Sequence, residues 1–489
     1  MIRFKSVALA TTASASLLLS GCMGAGEVPD ASTPITQSEA QQGAQYHPQF
    51  LAEFGGAYEG PQSAYVESVG KNIAVHSGLG NARSDFTVTL LNSPVNNAFA
   101  IPGGYVYGTR QLVGLMNNEA ELAAVLGHEV GHVAARHAQR RQAAAQRNTL
   151  LGAAGAILSG VLLGDSSVGN TLSRGFLQGS QMLTLKFSRN QELEADDLGI
   201  QYLNRAGYDP RAMGTVLASL AAQNTLDAQL QGRDARMPEW ASTHPDPASR
   251  VQSALSKAGA STGQTNADTF LTRINGMTYG DDPRQGVIEG NTFIHPDMRL
   301  AFNAPQGFYM VNGTRAVTIN GQSGRAQLTL APYNGNLETY VRSVFTALGG
   351  DQQQLAPATM QRTTVNGIPA AYGQARVNSG GSQVDVVVFA YEFARDRAYH
   401  FTAISQAGSA DAFSPMFNSM RRVSANEAAQ VVPRRIEVVT VRSGDTVALL
   451  ARRMAFDTAQ ETRFRVLNGL ASNATLRAGQ KVKIVVKGR

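Results

Sequence analysis

Apolar residues recur with different periods in different parts of the chain. At the start, a basic "MIRFK" precedes the apolar run "SVALATTASASLLLSGC". That run has signal-peptide length, and a membrane span takes about 20 apolar residues. Small polar residues follow as far as Gln45 and read as a tether. "AYVESVGKNIAVHSG" then places Val66, Val69 and Ile73 on one side of a helix. "FTVTLLNS" and "GGYVYGT" alternate like strands, with "PVNNAFAIPGG" between them. From Asn118 the segment "NEAELAAVLGHEVGHVAARH" is helical in pattern. The apolar run "LLGAAGAILSGVLLG", residues 150–164, is short for a membrane span and reads as a helical hairpin that is buried or covers a cleft. "NQELEADDLGIQYLNRAG" and "PRAMGTVLASLAAQ" continue the helical pattern.

The period changes after "SKAGASTGQTNAD", residues 256–268, which reads as a domain boundary. "MRLAFNAP", "AVTING", "AQLTLAPY", "QVDVVVFAYEF" and "AYHFTAIS" are strand-like, with the helical stretches "LETYVRSVFTAL" and "SADAFSPMFNSMRRV" among them. Residues 286–425 are therefore expected to form a separate α/β domain, and "SANEAAQVVPRR" links it to a final module, residues 436–486. That module reads strand, "SGDT" turn and cap, helix, helix, strand.

Composition narrows the function classes. The chain has 489 residues, too many for one compact core. Its net charge of +6, from 42 basic and 36 acidic residues, is too mild to argue for nucleic acid. Residues 434–489 hold 12 basic and 4 acidic residues, net +8, which suits an anionic surface. The one cysteine, Cys22, cannot make an internal disulfide.

The helix from Asn118 contains "LGHEVGH". His128 and His132 are four apart, about 400° of helix, so both imidazoles leave one face and are able to share a metal. Glu129 lies about 100° round, placed as general base for a metal-held water. Gly127 and Gly131 weaken an isolated helix, and they allow a neighbouring helix or a substrate strand to approach closely. About 60 residues on, "QELEAD" sets Glu192 and Asp196 on one helix face. Glu192 is then available as third ligand and Asp196 as hydrogen-bond acceptor for a ligand histidine. Glu194 points away from that face, and His137, about 140° off the ligand face, reads as solvent-exposed or structural.

This arrangement resembles the zinc metallopeptidase family that includes HtpX, the CAAX prenyl proteases and the Oma-type and BepA-type enzymes. "NNAFAIPGGYVYGTRQLV", "NEAELAAVLGHEVGHVAARH", "SRNQELEADDLGIQYL" and "STHPDPASRV" match its blocks in order, over residues 46–260. The resemblance implies a mainly helical zincin-type domain with a small sheet. It also implies one zinc per chain, held by His128, His132 and Glu192, with Glu129 catalytic. It makes Asn97, Ala98, Phe99 and Ala100 a substrate-pairing strand. It places His244 and Arg250 near the metal. His244 would stabilise the oxyanion or take the open metal position and hold the enzyme latent, and Arg250 would neutralise the oxyanion or anchor a carboxylate. A helix-capping loop with a surface histidine is the alternative there, with Asp246 as N-cap and Pro247 at N1.

Two further resemblances complete the expectation. "LSGC" resembles the bacterial lipobox, which implies a leader over residues 1–21, acylation of Cys22 and a tether over 22–45. With Met23 next, the outer membrane is favoured. Residues 436–486 resemble a LysM domain, a βααβ module that binds N-acetylglucosamine-containing glycans such as peptidoglycan. Residues 286–425 faintly resemble PsbP/Mog-type folds and show no catalytic cluster. The whole is an α+β protein, expected to be a periplasmic, lipid-anchored metalloendopeptidase acting on envelope proteins. The competing readings are a non-proteolytic chaperone or assembly factor, and a peptidoglycan hydrolase.

Overall fold

The computed structural model describes residues 33–141, 187–231, 244, 246–349, 355–379 and 382–488. The expected leader, Cys22 and the apolar run 150–164 lie outside these residues. Among the described residues no helix is long and apolar enough to cross a membrane.

The first unit begins with α1 (Gln37–Glu53), capped by Thr36, whose side chain accepts from Glu39 N while Glu39 Oε2 accepts from Thr36 N. Residues 37–45, expected as tether, are therefore helix. A Thr-x-x-Glu capping box, easily read as polar linker, starts it. Helix α2 (Pro61–Ala74) buries Val66, Val69 and Ile73, as its spacing predicts. Strands β1 (Thr87–Leu91), β2 (Ala98–Ile101) and β3 (Tyr105–Thr109) form a sheet of order β1-β3-β2, parallel between β1 and β3 and antiparallel between β2 and β3. Short α3 (Arg110–Leu115) leads to α4 (Glu119–Ala134). Then come α5 (Arg189–Arg205), α6 (Ala212–Gln231), α7 (Pro247–Ala258) and α8 (Ala267–Ile274).

The boundary expected at 256–268 is not a break in packing. Phe270, Leu271, Ile274 and Met277 are buried in the same core as Val66, Leu126 and Leu203. "STGQTNAD" is polar because it runs over the surface, yet Gln264 exchanges backbone hydrogen bonds with Gly207 and Asp209. Composition registers solvent exposure, and a linker and a pinned surface loop look alike by that measure.

Residues 287–423 hold a seven-stranded antiparallel sheet between a helix, Leu337–Gly349, and a smaller four-stranded sheet. The last module is a strand (Arg434–Thr440), two short helices (Val447–Ala451 and Gln460–Leu467) and a second strand (Lys481–Lys487) antiparallel to the first. It packs directly on the first unit. Ile436 belongs to the first unit's core. Lys483, fully buried, donates to the carbonyls of Gly114, Leu115 and Met116 at 2.9, 3.1 and 2.5 Å. An ammonium has three donors, and the end of α3 offers three carbonyls without partners inside the helix, at the negative pole of its dipole. Burial pushes the Lys483 amine down and the nearby Glu121 charge draws it back up.

Candidate metal centre

The centre forms where α4 crosses α5. Asn118 caps α4 by accepting from Glu121 N at 2.9 Å, and Ser188 caps α5 in the same way through Gln191 N. Glycines set the closeness of the crossing. A Cβ on Gly127 would lie 3.7 Å from Gly199 Cα, and one on Gly131 3.1 Å from Ala195 O. Of the two partners the glycines allow, the neighbouring helix is the one in contact. The close approach puts the Glu192 face of α5 against the His128 and His132 face of α4.

His128, His132, Glu192 and His244 each bring one ligand atom to within 4.8 Å of the others, and all four are buried. His132 Nε2 lies 3.0 Å from His128 Nε2 and 3.4 Å from Glu192 Oε1. His244 Nδ1 lies 3.0 Å from Glu192 Oε1 and 3.4 Å from His128 Nε2. Three imidazole nitrogens and a carboxylate that converge on one buried point are a donor set that fits a divalent metal. Glu129 borders it: its Oε1 is buried, accepts no hydrogen bond among the described residues and stands 3.5 Å from His244 Nε2.

Behind the ligands, Asp196 Oδ1 lies 2.9 Å from His128 Nδ1, the contact its spacing from Glu192 predicts. Arg250, in the first turn of α7, donates through Nε to Asp196 at 2.8 Å and through its two terminal nitrogens to Glu192 and Asp196. The carboxylates that Arg250 reaches are the protein's own. Its guanidinium is buried against them. Asp246 caps α7 by accepting from Ser249 N, with Pro247 at N1. The surface-histidine alternative does not hold, because His244 is 1% exposed.

These charges set the protonation states. For His128, burial lowers the pKa, but its hydrogen bonds to the Asp196 and Glu192 carboxylates outweigh it and raise it to about 9. Burial pushes His132 well below its ordinary value. Burial alone would raise Glu192, yet His244, His128 and His132 hold it far below the usual carboxylate range. Asp196 is held down to about 2 against burial by His128 and Arg250. Glu129 is pushed up, chiefly by burial.

His137 departs from its expected place. It is fully buried, with Nδ1 2.8 Å from His132 Nδ1 and Nε2 3.1 Å from Glu194 Oε2. Continued helix would have put it about 140° away. Instead α4 ends at Ala134, and Arg136 adopts φ of 49°, which returns the chain beneath His132. Glu194 does point away from the ligands, and what it reaches is His137. An Arg-His pair just past a helix end was the available signal, and its geometry depends on one left-handed residue.

Strand β2 is the edge of its sheet and packs beside α4. Ala98 is buried, and Phe99 stacks on Tyr107 at 4.6 Å with Phe50 and Phe54 against it. Ala100 is half-buried. Asn97 precedes the strand, exchanging hydrogen bonds with Thr109, and its side-chain oxygen is buried with no partner among the described residues.

A helix-borne HExxH crossed by a helix that contributes a glutamate defines a metallopeptidase domain. Residues 61–258 match Peptidase family M48 and residues 439–485 match the LysM domain, so the chain joins an M48 peptidase domain to a LysM domain. A beta-barrel assembly-enhancing protease of Escherichia coli O157:H7 is 36% identical over 197 residues, 40% of this chain and 38% of that one. The Yersinia pestis protein of the same name is 32% identical over 291 residues, 55% of this chain and 57% of that one. Mitochondrial metalloendopeptidase OMA1 of Arabidopsis thaliana is 35% identical over 158 residues, 32% of this chain and 28% of that one. The match spans less than two thirds of each relative's own length.

Proposed function

We propose that the protein is a zinc-dependent endopeptidase of the bacterial cell envelope that cleaves misfolded or misassembled envelope proteins. The observation that carries this reading is the convergence of His128, His132, Glu192 and His244 on one buried point, with Glu129 Oε1 beside it, which accepts no hydrogen bond among the described residues. His128, His132 and Glu192 would hold the zinc. When bound, zinc lowers the pKa of water and polarises the scissile carbonyl.

The chain's own groups do the rest. Glu129 takes the proton of the attacking water and passes it to the leaving amine, and its burial-raised pKa suits a group that must accept and then release a proton. Asp196 holds the His128 ring through Nδ1, and Arg250 holds both carboxylates in place. Edge strand β2 offers extended substrate a backbone to pair with. His244, 3.5 Å from Glu129 and 3.0 Å from Glu192, brings a fourth possible ligand atom to the same point. It therefore acts as a latch, a fourth ligand that must be displaced for turnover.

The setting follows from the flanking modules. Acylation of Cys22 anchors the chain to the periplasmic face of the outer membrane, and the basic LysM domain docks it on peptidoglycan. The assembly-enhancing names of the bacterial relatives agree with a substrate drawn from outer-membrane protein assembly. Casein incubated with the purified chain tests the activity: wild type should cleave it and Glu129→Gln should not. Equal cleavage by both would refute the assignment. Purified peptidoglycan should retain the full chain, with N-acetylglucosamine oligomers competing.

A further inference from the structure

His137 belongs to neither the ligand cluster nor the motif that announces it. The chain is built to put it there. Buried Arg136, held at φ of 49°, donates to Thr33 O at 2.9 Å and Ala134 O at 3.1 Å and pairs with Glu39 at 3.4 Å. Gln191 Nε2 donates to His137 O at 3.2 Å, tying the turn to the first turn of α5. The imidazole then bridges His132 Nδ1 and Glu194, and Arg140 fixes Glu194 from outside at 3.0 and 3.1 Å.

Counting donors gives the bridge a direction. A histidine that ligates through Nε2 carries its proton on Nδ1. His132 Nδ1 therefore donates, and His137 Nδ1 accepts. The His137 proton then sits on Nε2, which donates to Glu194. We propose that His137 and Glu194 are positioning residues for the metal ligand His132, a directed hydrogen-bond chain that fixes its tautomer and ring plane and makes it a stronger ligand. The proposal rests on the metallopeptidase reading. It makes the two ligand histidines alike in principle: His128 leans on Asp196 directly, and His132 leans on Glu194 through one intervening imidazole.

The test is zinc affinity of the full chain by chelator competition, with the visible spectrum of the cobalt-substituted protein as a second readout. His137→Leu removes the acceptor and should weaken zinc binding about 10–100-fold. His137→Asn keeps an oxygen near the Nδ1 position and should recover most of that loss, which a purely structural role would not require. Glu194→Gln alters a half-exposed side chain, so folding is preserved; it should weaken zinc binding several-fold and shift the cobalt bands. A folded His137→Leu protein that holds zinc as tightly as wild type would overturn the proposal, as would a Glu194→Gln protein unchanged in both readouts. If wild type itself binds no metal, the metallopeptidase reading has failed. If wild type binds zinc and cleaves while the variants match it, the relay alone has failed.

Discussion

Gly127 and Gly199 meet where α4 crosses α5, the Cβ position of one lying 3.7 Å from the Cα of the other. A Cβ on Gly199 would also come within 3.2 Å of His128 N and 2.6 Å of Met213 Cε. Methionine can swing aside, but a backbone nitrogen cannot. Gly199→Val should therefore force the helices apart, destabilise the fold by about 1–3 kcal/mol and separate Glu192 from the histidines. Thermal unfolding and zinc competition on one sample would show both losses together.

Arg250 carries the positive charge that pairs with Glu192 and Asp196 in a buried setting. Its replacement by Met should destabilise the protein by about 3–5 kcal/mol, because two buried carboxylates lose their guanidinium. Arg250→Lys should recover little, since an ammonium cannot serve both carboxylates in the geometry of the fork. Urea unfolding of the three proteins measures this.

The HExxH spacing, the carboxylate pair four apart on α5 and the glycines were legible because each is a statement about one regular helix. His137 was not, because its position depends on a helix ending at Ala134 and on the left-handed Arg136. The docking of the last module was hidden for a similar reason. Lys483 in "QKVKIVV" reads as an exposed position of a basic strand, and only the end of α3 converts it into a buried cap. The start of α1 was hidden by composition, since the residues that make its capping box are those of a polar linker.

Stripping the metal should reveal a pH dependence through His128. Its folded-state pKa, about 9, is raised above the ordinary 6.5. Its contribution to stability is then full below about pH 6.5 and lost as pH rises through 9, with an upper size of about 3 kcal/mol. Unfolding midpoints of chelated protein should fall across that window. Zinc-loaded protein should lack this fall, because ligation needs the neutral imidazole.

Lys483→Met should loosen the LysM domain from the peptidase domain. Three carbonyls at the end of α3 lose the Lys483 ammonium, which should cost about 1–3 kcal/mol. Limited proteolysis should then cut between the domains faster than in wild type, with casein cleavage retained.

The central claim is that His128, His132 and Glu192 hold one catalytic zinc with Glu129 as the base. Metal content and casein cleavage, measured together on wild type and Glu129→Gln purified without chelator, test it most directly. About one zinc per chain is expected in both proteins, with cleavage by wild type alone. A metal-free wild type, or a Glu129→Gln protein that cleaves as fast as wild type, would contradict it.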